Sequence, residues 1–130
     1  RESPNRLSRI DSRYSLDSFR DLKAYHLAQN RLREARVEVQ IWGAGVDGKK
    51  WRKSLLKQGI EVKRFFDIDP KKIGGSIGGS VPVLHWKELK NYVPNTITLG
   101  AVGSKGARKL MREGLFEMGL REPEQFLFVQ

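Results

Sequence analysis

The chain has 130 residues, Lys+Arg 25 against Asp+Glu 15, a net charge of +10 and no cysteine. That length fits one domain able to bury a core of its own. The missing cysteine excludes a disulfide framework, a zinc ribbon and a thiol nucleophile, and no run reaches the roughly 18 apolar residues of a membrane span.

Residues 1–36 read as a lead-in arm and linker helix. Arg1 to Tyr14 are polar and arginine-rich, without periodicity. Ser15 then suits an N-cap, with Asp17 in the first helical turn. Leu16, Phe19, Leu22 and His26 follow at helical spacing, which predicts an amphipathic helix packing that stripe on the domain behind it. His26, at the edge of the stripe, reads as a packing residue.

Residues 37–130 read as one Rossmann-like domain. Val37 to Trp42 form a short apolar strand, followed at once by Gly43-Ala44-Gly45-Val46-Asp47-Gly48. A helix over 49–58 ends at Gly59. Ile60 to Phe66 give a second strand, ending in Asp67-Ile68-Asp69-Pro70, and a glycine-rich stretch runs from Gly74 to Gly79. Val81 to Leu84 are a third strand and Trp86 to Tyr92 a short helix. Ile97 to Val102 are a fourth strand, and Gly103-Ser104-Lys105-Gly106 a second tight turn. Ala107 to Met118 are helical, with Leu110, Met111, Leu115 and Met118 inward, and Phe126 to Val129 are a last strand.

Alternation of this kind predicts an α/β fold, a doubly wound parallel five-stranded sheet of order 3-2-1-4-5 with an added N-terminal helix. The cleft then lies where strands 1 and 4 part, and both glycine turns fall there.

The G-x-G-x-x-G pattern follows a strand, opens a helix and has an acid, Asp67, 24 residues after Gly43. In a dinucleotide fold Gly43 allows the tight turn, Gly45 lets backbone approach a pyrophosphate and Gly48 lets helix and strand pack closely. The helix N-terminus offers free N–H groups to phosphates. Asp67, with Asp69 beside it, can accept ribose hydroxyls, while Lys71 and Lys72 can favour a phosphate. Ser104 and Lys105, between Gly103 and Gly106, can reach a ligand across the cleft; the alternative is a helix start capped by Ser104. Gly43 and Gly48 also serve packing without any ligand, Asp69-Pro70 also starts a turn, and Asp47 disfavours an anion. NAD(P), UDP or a nucleotide-sugar all fit such a cleft.

Catalytic and metal-binding groups are scarce. The histidines, His26 and His85, stand far apart, and a dehydrogenase needs a substrate domain and a proton donor. The chain alone therefore reads as non-catalytic. The charge is spread, with balances of +4, +4 and +2 over residues 1–36, 37–72 and 73–130, and one cluster at Lys49, Lys50, Arg52, Lys53 and Lys57. A solvated helix face explains that cluster better than nucleic acid, so no nucleic-acid partner is expected; attraction of a phosphate-bearing ligand or of an anionic membrane surface is the intermediate reading.

The turn Trp42 to Gly45, the D-I-D-P-x-K-I-G stretch of Asp67 to Gly74 and the V-G-x-x-G-A-R stretch of Val102 to Arg108 resemble the C-terminal domain of some bacterial family-2 glycosyltransferases. Residues 6–29 are similar to the segment joining that domain to the catalytic one, so the resemblance covers nearly the whole chain. It implies a parent that transfers sugar from a nucleotide-sugar, with a metal-binding acidic motif upstream. This chain would be its accessory domain, cytoplasmic and at most peripheral to the inner membrane. Similar turns occur in sugar acyltransferases and sugar C-methyltransferases, which tilts the expected ligand towards a nucleotide-sugar. Trp51 and Asp47 depart from the pattern. The rival readings are a docking or self-associating module with an empty cleft, and the cofactor half of an NAD(P)-dependent oxidoreductase.

Overall fold

The computed structural model describes residues 12–29, 37–102 and 105–129. Strand β1, Glu38–Trp42, shows why the sheet is parallel and covered on both faces. Val39 and Ile41 point to one side, Gln40 and Trp42 to the other, and all four are buried. Strand β5, Thr96–Gly100, is buried at every position. Strands apolar on both faces need helices on both faces.

Strands β2 (Val62–Asp67), β3 (Ser76–Ile77), β4 (Val81–His85) and β6 (Phe126–Phe128) complete a six-stranded sheet of order β3-β4-β2-β1-β5-β6. The β4-β2-β1-β5-β6 pairs are all parallel. These five strands keep the expected 3-2-1-4-5 order. The correction is a sixth strand, β3, antiparallel to β4 at the edge, with Ile77 opposite Val81. It forms inside the glycine-rich stretch from Gly74 to Gly79. Gly78 and Gly79 take φ +65° and +82°, which lets the chain reverse and pair.

Helix α1 is Ser12–Leu27 and α2 is Val46–Leu56; a 3₁₀ helix spans Trp86–Tyr92, where an ordinary short helix was expected, and α3 is Lys105–Glu117. One core holds Ile41, Phe65, Leu99, Trp51 and Leu55 with Ala24 of α1. The other holds Trp42, Phe66 and Phe126 with Leu89, Met111 and Leu115. The 3₁₀ helix and α3 thus cover the face opposite α1 and α2. Helices α2 and α3 end near Gly59 and Gly119, where Ile60 and Leu120 return N–H groups to Leu55 and Leu115 carbonyls at 3.0 Å. Buried Gln40 is satisfied by Thr98 Oγ1 at 2.9 Å and by the Arg64 guanidinium at 2.6 Å.

Helix α1 departs from its expected orientation. It begins by Ser12 rather than at Ser15, and it turns small residues inward: Ala24 and Ala28 are fully buried. Asp21 fixes that rotation, accepting Ser54 Oγ at 2.6 Å and Lys57 Nζ at 2.8 Å from α2. Phe19 and Leu22, read as the packing stripe, are 63% and 52% exposed. The arm before Ser12 lies outside the described residues.

Candidate functional site

The carboxyl ends of β1, β2 and β5 meet at the Gly43–Gly48 turn. Gly43 donates its N–H to Phe66 O at 2.8 Å, while Ala101 N–H reaches Trp42 O at 3.0 Å. Gly43 sits at φ +125°, and a Cβ there would lie 2.9 Å from Ala101 O. At Gly48 a Cβ would fall 1.8 Å from Gly43 O, so α2 can begin this close to the strand only with glycine. Gly45 differs. It is the N-cap residue of α2 and makes no side-chain cap bond, and the nearest atom to a Cβ there is Lys72 Nζ at 3.8 Å. Two glycines are required by the chain's own packing. The middle one leaves room at a helix N-terminus, where the first N–H groups have no acceptor within the helix.

Asp67 ends β2 beside this turn. Its Oδ2 accepts the Ala44 N–H at 2.8 Å, and its Oδ1 accepts the N–H groups of Ile68 and Asp69 at 2.7 and 3.0 Å. A carboxylate offers about four lone-pair positions, so capacity for a further donor remains on Oδ2. Asp69 builds the loop: its Oδ1 accepts Lys71 N–H at 3.0 Å and its carbonyl accepts Lys72 N–H at 2.9 Å. That turn carries the Lys72 ammonium back towards Gly45, with Asp69 Oδ2 3.9 Å away. Asp47 lies in the first turn of α2, half-buried.

A cleft of about 240 Å³ opens against Asp67, lined by Trp42, Gly43, Ile68, Trp86, Val102, Ala107, Leu110 and Met111. Trp42 and Trp86 are stacked there, with centroids 5.2 Å apart and planes 12° from parallel. Ile68 and Leu110 are 65% and 71% exposed. Leu110 was expected on the inner side of its helix; instead Met111 and Leu115 fill the core and Leu110 walls the cleft. Trp51, the residue out of pattern, is buried between α2 and the sheet, beside a separate cavity of about 320 Å³ near α1 and β6. Neither Trp51 nor Phe66 lines the cleft at Gly43.

The second turn is described only in part. Gly103 and Ser104 lie outside the described residues. Lys105 and Gly106 belong to the first turn of α3, in keeping with the alternative of a helix start, and Gly106 is exposed there. His85 accepts Lys87 N–H on its Nδ1 at 3.1 Å and caps the 3₁₀ helix. His26 is exposed on α1, edge-on to Tyr25. Among the described residues no group of three His, Cys, Asp or Glu could hold a metal ion.

The sequence left Ile68, Trp86 and Leu110 without a functional role. The signals present were an apolar residue directly after the β2 acid and a Trp at the end of β4.

No family model and no curated protein sequence matches the chain. Solved structures do. UDP-D-quinovosamine 4-dehydrogenase from Vibrio fischeri is 22% identical, with TM-score 0.56 over 72% of this chain and 78% of that one. RSP, a Rex-family repressor, solved with beta-NADH, is 21% identical, with TM-score 0.55 over 72% of this chain and 53% of that one. RSP solved with beta-NAD+ and operator DNA is 20% identical, with TM-score 0.53 over 72% and 49%. The chain spans about half the length of the repressor chains. At such identity the likeness establishes the fold: this is a Rossmann-like α/β domain. The expected absence of a nucleic-acid partner finds no support among these structures, one of which holds DNA.

Proposed function

We propose that the chain is a nucleotide-binding Rossmann module whose cleft takes the adenosine half of NAD(H). The observation that carries this reading is the open cradle at Gly45. Of the three turn glycines it is the one whose side-chain direction is free, and it opens at the α2 N-terminus with the Lys72 ammonium beside it. A Cβ would take the space that a pyrophosphate needs. Asp67 stands at the ribose position with acceptor capacity left, and the apolar cleft behind it suits a flat base. The NADH and NAD+ held by similar folds favour this ligand over UDP.

The chain's own part is binding and orientation; hydride or glycosyl chemistry would come from elsewhere in a larger protein. The resemblance to family-2 glycosyltransferase C-terminal domains supports such a parent and, as a second reading, a nucleotide-sugar in the same cleft. Trp42 and Trp86 line the cleft, so occupancy is expected to change indole emission. Titration of the purified chain with NADH, NAD+, NADPH, UDP and UDP-sugars, followed by fluorescence and calorimetry, tests both. NADH and NAD+ should bind and UDP should not. Preference for a UDP-sugar would establish the second reading, and no response to any at millimolar concentration would sink the nucleotide site.

A further inference from the structure

Helix α1 packs Ala24 and Leu27 on the core and leaves three large apolar residues facing outward. Phe19, Leu22 and Tyr25 are 63%, 52% and 45% exposed, whereas Ala24 and Ala28 are fully buried. An exposed apolar ridge of this kind marks a contact surface. What it contacts follows from its neighbour. Asp21 ties α1 to α2 through Ser54 and Lys57, so the outer sides of the two helices form one face. On α2 that side carries exposed Lys49, Lys50 and Lys53, opposite buried Trp51 and Leu55, with Lys57 at its C-cap paired to Asp21; Lys23 of α1 is exposed as well. Among residues whose side chains are described, the acids on these helices are Asp21, held by Lys57, and Asp47, at the far N-terminal end of α2.

We infer that this face lies on an anionic phospholipid surface, with Phe19, Leu22 and Tyr25 entering the headgroup region and the lysines meeting lipid phosphates. Apolar residues beside dense positive charge match a bilayer interface. A second copy of the chain fits poorly, because two such faces carry the same charge. Phe19 and Tyr25 carry rings on which bases stack, but Leu22 between them does not, whereas a lipid interface accepts all three. No helix among the described residues is long and apolar enough to cross a membrane, so the association is peripheral. It gives the lysine cluster of α2 a role, since none of those lysines lines the nucleotide cleft.

The test is co-sedimentation of the full chain with vesicles of phosphatidylcholine alone, or of phosphatidylcholine with phosphatidylglycerol at roughly three to one. Binding to the anionic vesicles and not the neutral ones is expected, weakening in high salt. Phe19→Ser with Leu22→Ser should reduce it about tenfold with an unchanged melting temperature, since both side chains are over half exposed. Lys50→Glu with Lys53→Glu should reduce it by about tenfold or more. Three outcomes overturn the inference: no binding to anionic vesicles, binding indifferent to the Phe19 and Leu22 substitutions, or retention of a single-stranded DNA by a chain that ignores vesicles. NADH titration of the Phe19 and Leu22 variant keeps the two proposals separate, because those residues belong to α1, which contributes nothing to the cleft lining or to the Gly45 cradle.

Discussion

The Asp67 carboxylate accepts the Ala44 N–H at 2.8 Å, so one acid pins the glycine turn to the end of β2 while facing the cleft. Hydrogen bonds to a charged group contribute about 1.5–3 kcal/mol; partial exposure puts Asp67 at the lower end. Asp67→Ala should lower stability by about 1–2 kcal/mol in urea unfolding. It should also weaken NADH binding at least about tenfold, because turn and ribose acceptor are lost together. Asp67→Asn retains an acceptor and should recover part of the stability. Unchanged NADH affinity in Asp67→Ala would remove this acid from the site.

Gly45 and Gly48 separate folding from binding. A methyl at residue 48 would meet Gly43 O at 1.8 Å, so α2 must shift away from β1. Gly48→Ala should cost about 3 kcal/mol or more, of the order seen for overpacking and backbone strain. A methyl at residue 45 meets nothing closer than Lys72 Nζ at 3.8 Å. Gly45→Ala should therefore melt close to the parent chain yet lose nucleotide affinity. Thermal unfolding and NADH titration on the two variants check the contrast; equal effects on both properties would contradict it.

Much of this was legible in the amino-acid order because the signals are local. Apolar runs flanked by Gly43, Gly59 and Gly119 mark strands and helix ends, and right-handed crossovers leave few strand orders. Strand β3 is not legible in the pattern because its two residues carry almost no periodicity. The rotation of helix α1 is not legible for a physical reason. Spacing identifies an apolar stripe but not whether a domain covers it, and here Ala24, Ala28 and Asp21 take the inner side. Leu110 was misplaced likewise: it adjoins Met111, and a rotation of 100° about the helix decides which of the two is buried.

Asp21 makes the docking of α1 sensitive to pH. Its carboxyl is held below the usual carboxylate range, first by the hydrogen bond from Lys57, then by that from Ser54. A depressed folded-state value stabilises the folded form fully above the unfolded value, about pH 4, and that contribution fades as pH falls through the folded value. The Asp21 side chain is 37% exposed, so screening limits the effect to below about 1 kcal/mol. The stability gap between the parent chain and Asp21→Asn should stay constant from neutral pH down to about pH 5 and close in stronger acid. A gap that persists at the lowest pH would show that the carboxylate charge is not what holds the helix.

Adjacent residues of α3 give the sharpest separation of wall from core. Leu110 is 71% exposed at the cleft, and Met111 is 6% exposed in the second core. Leu110→Ser removes little buried surface and should shift stability by under about 0.5 kcal/mol. A base seated against it would bury part of its side chain. At about 25 cal/mol per Å² of apolar surface, losing that contact should weaken NADH binding by roughly fivefold. Met111→Ser empties core volume and places a hydroxyl in it, at a cost of about 2–5 kcal/mol. Parallel unfolding and NADH titrations resolve the pair. If Leu110→Ser leaves affinity untouched, the base lies elsewhere than in the cleft walled by Ile68 and Leu110.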